Sequence, residues 1–136
     1  MSSETSKRPI FLSLAKKTMF LELAHIKLDV FKVAKEFVLA CYKETKAFPP
    51  DEKFAMISQI RRAALSVHLN VAEGCSRKSV SERKRFYEIA RGSLIEVDTA
   101  FDIAENLDYT SKANLAELGK LMIRTFQLLS KMISAR

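Results

Sequence analysis

Four polar side chains in the middle of the chain form the first pattern whose residue types suit chemistry. They follow one another at spacings of four, four and three residues, which places them on one face of a helix. A guanidinium, a hydroxyl, an amide and a carboxylate so arranged predict either a buried hydrogen-bonding network or a ligand surface. The network is the favoured interpretation, because such groups can satisfy one another and fix helix register. The four residues are Arg62, Ser66, Asn70 and Glu73.

Positive charge is concentrated in and after the same segment. Residues 61–91 contain eight basic and three acidic side chains, within a chain whose formal net charge is +7. A cluster of this kind can neutralise phosphates and release their counterions, which favours an anionic partner such as nucleic acid. An ordinary solvated helix face and loop is the alternative. The residues predicted to contact nucleic acid are Arg61, Arg77, Lys78, Arg83, Lys84, Arg85 and Arg91.

The residue types that most often carry catalysis form no recognisable constellation. The two histidines, His25 and His68, stand in no metal-ligand spacing. Ser66 lies two positions before His68, which points their side chains to different sides of a helix. Cys41 and Cys75 are far apart and form no CxxC pair, so both are interpreted as reduced structural thiols. The sequence therefore predicts no catalytic residue, no metal and no cofactor.

Apolar residues at helical spacing define the elements that must position these side chains. Only three glycines and three prolines are present, which indicates long elements and few turns. Steps of three and four residues recur in four segments. The predicted stripes are Phe31, Ala34, Val38 and Cys41; Ile57, Ile60, Ala64, Val67 and Val71; Phe86, Ala90, Ser93, Val97, Ala100, Ala104 and Leu107; and Leu115, Leu118, Met122, Thr125, Leu129 and Met132.

Helix start and stop signals separate these segments by short connections. Short connections make consecutive helices antiparallel neighbours, so the predicted fold is all-α, an up-and-down four-helix bundle. The predicted signals are a first helix from Lys27, a break at Pro49 and Pro50, a second helix opening at Asp51 and Glu52 and stopping at Gly74, a Ser79–Glu82 capping box for the third, and Thr110 or Ser111 as cap of the fourth.

The chain is predicted to divide into an N-terminal extension, residues 1–24, and a bundle domain, residues 25–136. The extension reads as partly disordered or as a short helix, because polar residues precede a brief apolar stretch. No apolar segment is long enough to span a membrane, and no signal peptide is evident. A cytoplasmic protein is therefore expected.

Further apolar residues on three of the helices lie away from the four stripes. A helix with a second apolar face usually buries it against another subunit, so a homo-oligomer is the favoured prediction. A single wide core face is the alternative. The predicted interface residues are Leu65, Leu69, Ile95, Ile103, Ile123 and Phe126.

Several separated motifs carry a resemblance to a known family. They are the run Gln59-x-Arg-Arg-Ala-Ala-x-Ser-x-x-x-Asn-x-Ala-Glu-Gly74, Phe48-Pro49 followed by Glu52, and Ala90-Arg-Gly-Ser-Leu-x-Glu96. Together they resemble the bacterial four-helix-bundle proteins encoded in intervening sequences of 23S ribosomal RNA genes. The resemblance extends over about residues 27–134. The chain departs from the pattern at Phe31, where the family often has Trp, and at His68, where Pro is common.

The resemblance implies a ring-like homopentamer without known enzymatic activity. A similar fold serves the accessory proteins of diversity-generating retroelements, in which a basic pentamer associates with a reverse transcriptase and nucleic acid. The expected function is thus that of a non-catalytic oligomer whose basic rim contacts structured RNA or a nucleoprotein. Expected partners are further copies of the chain, ribosomal RNA or another nucleic acid, and a nucleic-acid-handling protein. The alternative is a protein-interaction scaffold with no nucleic-acid ligand.

Overall fold

Four α-helices make up most of the computed structural model, which describes residues 20–24 and 28–135. A single turn of 3₁₀ helix, Pro50–Glu52, separates the first two helices. The described part of the chain contains no β-strand, so the predicted all-α class is confirmed. The helices are α1 (Asp29–Thr45), α2 (Met56–Cys75), α3 (Val80–Asn106) and α4 (Ala116–Ser134).

Each helix packs against the next one in the chain, and α1 completes the bundle against α4. Hydrogen bonds between α2 and α3 join Gln59 to Glu96 and, further along α2, Ser66 to Ser93. The residue numbers rise on α2 while they fall on α3, so these two helices are antiparallel. The four-helix arrangement agrees with the predicted bundle.

The core consists of one apolar stripe from each helix. Phe37, Ile60, Leu94 and Leu129 are among its largest fully buried side chains. Two threonines are also fully buried, and both donate their hydroxyls to carbonyls one turn earlier: Thr45 to Cys41 at 2.8 Å and Thr125 to Leu121 at 2.7 Å. The buried hydroxyls are therefore satisfied within their own helices, and the rest of the core is apolar.

The predicted start of the second helix at Asp51 and Glu52 is wrong. Both acids belong to the 3₁₀ turn, and α2 begins only at Met56. The carboxylate of Glu52 nevertheless accepts a hydrogen bond from the Met56 amide at 3.2 Å. An acid four residues before the helix thus satisfies one of the helix's free backbone amides. The sequence pattern predicted this acid inside the first turn.

The start of α3 is predicted correctly, whereas that of α4 is not. The Ser79 hydroxyl accepts a hydrogen bond from the Glu82 amide at 3.2 Å, as expected of the cap of α3. Ser111 makes the same type of bond with the Asn114 amide, also at 3.2 Å, but this closes an isolated turn. The α4 helix begins at Ala116.

The buried face of α3 lies one position away from the predicted stripe at several points. Large residues that directly follow predicted positions enter the core, while the predicted ones are half-buried or exposed. The helix packs between two neighbours, so apolar and small residues also line its flanks and blur the pattern. The buried residues are Tyr87, Ala90, Leu94, Val97, Phe101 and Ala104, in place of Phe86, Ser93, Ala100 and Leu107.

Candidate functional site

The connection between α2 and α3, together with the first residues of α3, brings five of the seven predicted nucleic-acid contacts together. We call this segment, residues 76–85, the basic turn. Lys78 and Arg85 are exposed, and Lys84 is half-buried. None of these three side chains forms an ion pair within residues 20–24 and 28–135. The basic turn therefore has three cations available to an external anion.

The other two cations of the basic turn hold it in shape. The Arg83 guanidinium donates to the carbonyl oxygens of Arg77 at 2.9 Å and Lys78 at 2.8 Å. Arg77 in turn pairs with Glu73 and lies 5.0 Å over the ring of Phe86. Because these contacts fix the backbone that carries Lys78, the available cations project from an ordered turn.

A closely packed glycine lies beneath the basic turn. A Cβ atom at Gly74 would lie 2.6 Å from Cε1 of Tyr87 and 3.1 Å from Cβ of Phe86. Gly74 was predicted to stop the second helix, but it lies inside α2, which ends at Cys75. Its function in the fold is to let α2 and α3 approach at the level of Tyr87.

Tyr87 itself was missed by the sequence pattern, which assigned the core position to its neighbour Phe86. Its hydroxyl donates to Sγ of Cys75 at 3.4 Å. Burial, followed by this hydrogen bond, raises the pKa of Tyr87, while the positive charge of Arg83 acts in the opposite direction. The tyrosine is thus a neutral, buried support for the basic turn. The available signal for Tyr87 was an aromatic residue on one helix opposite a glycine on the next.

The other two residues predicted to contact nucleic acid form hydrogen bonds within the fold. Nε of Arg61 donates to the Thr45 hydroxyl at 2.9 Å, and its guanidinium lies 4.7 Å over the ring of Tyr42. Arg91 donates to the Ser130 hydroxyl at 3.2 Å. Neither belongs to the basic turn, and their contact with nucleic acid stays a prediction.

Charge is distributed unevenly along α3. Its first half carries three cations of the basic turn, Arg83, Lys84 and Arg85, whereas residues 92–106 contain four acids and no base. The helix dipole favours the opposite order, with acids at the N-terminus and bases at the C-terminus. The N-terminus of α3 therefore adds positive potential to that of the basic turn. The acids are Glu96, Asp98, Asp102 and Glu105.

The predicted polar line is divided among different surroundings. Ser66 lies 2.8 Å from the Ser93 hydroxyl of α3, and Nδ2 of Asn70 donates to the Ser66 hydroxyl at 3.0 Å. Arg62 is exposed, and Glu73 pairs with Arg77 of the basic turn. The hydrogen-bonded group is consequently Ser66, Asn70 and Ser93.

The predicted interface residues are all exposed, and they occupy separate surfaces. Leu65 and Leu69 lie on the outward side of α2, while Ile103 borders a hollow beside the start of that helix. The other three meet in a groove between α3 and α4 with a volume of about 370 Å³. We call it the α3–α4 groove; it is lined by Leu94, Ile95, Asp98, Met122, Ile123, Phe126 and Gln127.

The described residues offer little that would suit a metal or a reactive thiol. They contain no group of three or more His, Cys, Asp or Glu side chains able to hold a metal ion. The His68 ring packs against Phe31 at 4.3 Å between centroids. Burial, with a smaller contribution from Glu44, raises the pKa of the Cys41 thiol to about 12.

Among the helices described, none is long and apolar enough to cross a bilayer.

Comparison with known proteins places this geometry in a family. The sequence profile described as 23S rRNA-intervening sequence protein matches residues 26–133, which include the basic turn and all four helices except the last residue of α4. The chain belongs to the 23S rRNA-intervening sequence protein family. The predicted resemblance is thereby confirmed. The family's function is not known, and the match brings no evidence of catalysis with it.

A crystal structure supports the fold assigned to this member of the 23S rRNA-intervening sequence protein family. It is that of a protein of unknown function from the S23 ribosomal protein family of Bacteroides thetaiotaomicron, and its chain is 19% identical to this one. The superposition has a TM-score of 0.69 and covers 78% of this chain and 99% of the other. At this level of identity the likeness concerns the fold alone. No curated protein matches the sequence.

Proposed function

We propose that this protein is a non-catalytic homo-oligomer that contacts structured RNA through the basic turn. The observation that carries the proposal is a set of three cations that form no ion pair with the described residues, Lys78, Lys84 and Arg85, on a turn whose backbone is held by Arg83. Unpaired cations on an ordered backbone can replace counterions at phosphates with little loss of conformational freedom.

The location of these cations also favours an anionic ligand over a merely solvated surface. They surround the N-terminus of a helix of 27 residues: Lys78 directly precedes the cap Ser79, where the helix dipole makes a positive side chain unfavourable, and Lys84 and Arg85 lie in the second turn. An arrangement that costs stability in the free protein is expected where a bound anion offsets the cost. A family defined by intervening sequences of 23S rRNA makes structured ribosomal RNA the first ligand to test.

Oligomerisation would multiply a weak contact. Exposed apolar residues on α2, α3 and α4 supply surfaces for contact between copies, and the family resemblance implies five subunits. Several basic turns on one assembly would bind one RNA with an avidity far above that of a single turn. Modest affinity per protomer is therefore sufficient for stable binding.

Fluorescence anisotropy of a labelled ribosomal RNA hairpin tests the proposal. The variant Lys78→Glu/Lys84→Glu/Arg85→Glu should bind much more weakly than the wild-type protein, because phosphates lose their cationic partners. Titrations between about 50 and 200 mM salt should show a slope reduced by about three phosphate contacts for each protomer engaged. Duplex DNA and an unstructured strand are run alongside to measure the preference for structured RNA.

A matched variant separates site from net charge. Lys35→Glu/Lys43→Glu/Lys46→Glu changes the charge by the same amount on exposed positions of α1 and the turn after it. It should retain most of the wild-type affinity. Equal losses in both variants would show that only overall charge matters, and absence of binding by wild-type protein at low salt would refute the RNA proposal.

A second candidate function, a protein-interaction scaffold, is favoured by the open α3–α4 groove. Its walls are mostly apolar, whereas a protein that uses only its charges has no need of such a surface. Under this function, Ile123→Asp would abolish partner binding while the charge variant of the basic turn would retain it. The charge variant therefore distinguishes the two functions, because it should lose RNA binding and retain protein binding.

A further inference from the structure

Two exposed apolar features of this bundle have opposite shapes. One is concave, the α3–α4 groove. The other is convex, the side chain of Phe54 on the turn between the 3₁₀ helix and α2, which is 88% exposed. A side chain this exposed leaves apolar area in water that a partner surface can cover.

The turn that carries Phe54 is held by hydrogen bonds. The Lys53 amide donates to the Pro50 carbonyl at 3.1 Å, and the Ala55 amide donates to the Glu52 carbonyl at 3.1 Å. The Glu52 carboxylate in turn accepts the Tyr109 hydroxyl at 2.8 Å. The aromatic ring is thus presented from an ordered backbone, which lowers the entropy lost on binding.

The groove offers the chemistry that such a side chain needs. Its floor and walls come from Leu94, Ile95, Ile123 and Phe126, and Asp98 lies at its edge. A second hollow of about 190 Å³ shares Asp98 and Met122 with it and continues along the two helices past Asp102 and Glu105, with Lys112 also on its lining. The groove is therefore apolar at one end and carries three acids and one base at the other.

The turn carries a matching charge next to its aromatic ring. Nζ of Lys53 lies 5.3 Å from the ring centroid of Phe54, and Arg62 borders the hollow beside the ring. Asp51 and Glu52 lie on the same segment, and the Glu52 carboxylate already accepts hydrogen bonds from Met56 and Tyr109, so the match depends on where Lys53 is placed, not on the net charge of the turn.

We propose that Phe54 of one copy inserts into the α3–α4 groove of the next copy, with Lys53 beside Asp98 and Asp102. The inference rests on the homo-oligomer of the proposed function and names the surfaces that would build it. Phe54 and Ile103 border a hollow on the α2 side of α3, whereas the groove lies on the α4 side. The contact therefore joins different surfaces of successive copies, a head-to-tail arrangement that forms a ring when the rotation between copies closes.

Complementary variants test the contact in the full-length protein. Phe54→Asp removes the inserted side chain and leaves the groove intact, while Ile123→Asp does the reverse. Each variant alone should sediment as a monomer, with self-association at least about 30-fold weaker than wild type, the loss typical of a central interface residue. Mixed in equal amounts, they should form a 1:1 heterodimer, because the mixture contains one intact pair of surfaces.

Controls separate this inference from the oligomer itself. Leu39→Asp places the same charge on an exposed leucine of α1 outside both surfaces, and it should assemble as wild type does. Lys53→Glu should weaken assembly, and the double variant Lys53→Glu/Asp98→Lys should restore it. Circular dichroism checks that each variant is folded.

Each outcome overturns either the contact alone or the contact together with the oligomer. Wild-type protein that assembles while Phe54→Asp assembles equally well overturns this contact but not the oligomer. A mixture of the two aspartate variants that stays monomeric also overturns it. Wild-type protein that is monomeric at every concentration overturns both the contact and the oligomeric part of the proposed function, whereas RNA binding by the basic turn is measured independently.

Discussion

The α2–α3 and α3–α4 junctions of this bundle use the same helix in opposite ways. Toward α2, α3 packs closely: Gly74 admits the ring of Tyr87, and the hydroxyls of Ser66 and Ser93 meet at 2.8 Å. Toward α4, the two helices leave a groove of about 370 Å³ between them. A small residue such as Gly74 allows helix backbones to approach, whereas the groove beside α4 is a gap that the fold itself does not fill.

The difference shows where stability and binding reside in this fold. The close contact at Gly74 supports the basic turn and is expected to resist substitution, since Tyr87 leaves no room for a Cβ atom there. The open junction exposes apolar area that a second molecule can cover. Substitutions at the α2–α3 junction should therefore change folding, and those on the groove walls should change association.

Leu94 is expected to give the largest effect, because it belongs to both the core and the groove. It is fully buried and forms part of the groove floor. Leu94→Ala would join the groove to the core and should lower the free energy of unfolding by about 3 kcal/mol. Urea denaturation followed by circular dichroism measures the loss.

The control for this prediction is an exposed leucine of α1. Leu39→Ala removes the same atoms from a side chain that is 60% exposed and should change stability by less than about 0.5 kcal/mol. Similar losses for the two variants would contradict the assignment of Leu94 to the core.

Glycine substitutions compare the two junctions directly. Gly74→Ala would place a methyl group against Tyr87 and Phe86 and should cost about 1–3 kcal/mol, because neither neighbour can move freely. At Gly119, which borders the open side of α3 and α4, an added Cβ meets nothing within 4 Å. Gly119→Ala should therefore stabilise the protein by up to about 1 kcal/mol through helix propensity.

Thermal and urea unfolding of both glycine variants measure these shifts. Opposite signs support the contrast between a closed and an open junction. A destabilised Gly119→Ala, with Gly74→Ala unchanged, would reverse the assignment of the two sides. A second helical glycine, Gly92, also has open space around its Cβ position and serves as a further reference.

The sequence predicted the number and order of the helices because each one buries a stripe with a clear period. It failed at two helix starts, where the determining contacts are not periodic. The Glu52 carboxylate satisfies the Met56 amide from outside α2, and Ser111 closes a turn that precedes α4 without opening it. Side-chain oxygens near proline or turn residues can satisfy either arrangement, and only the folded backbone decides between them.

The candidate site was predictable to a similar degree. Clustered charge located the basic turn, because those residues are close in sequence. The partners that divide it into structural and available cations were not apparent. Arg83 binds two carbonyls five and six residues away, and Arg61 bonds to Thr45 on another helix. Such contacts depend on how the helices pack, so charge alone presented all these cations as equivalent.

The smallest expected effect concerns the hydroxyl pair that spans the close junction. Ser66→Ala and Ser93→Ala should each cost about 0.5–1.5 kcal/mol, because each leaves the other half-buried hydroxyl without its partner. The double variant should cost less than the sum, with a coupling of about 0.5–1 kcal/mol. Asn70 sharpens the expectation: it also donates to the Ser66 hydroxyl at 3.0 Å, so Ser66→Ala should cost more than Ser93→Ala.

A matched cycle on Arg91 and Ser130 tests the open junction, where the 3.2 Å bond should give a weaker coupling. Equal couplings at the two junctions in urea denaturation would show that close approach of α2 and α3 adds nothing to their polar contact.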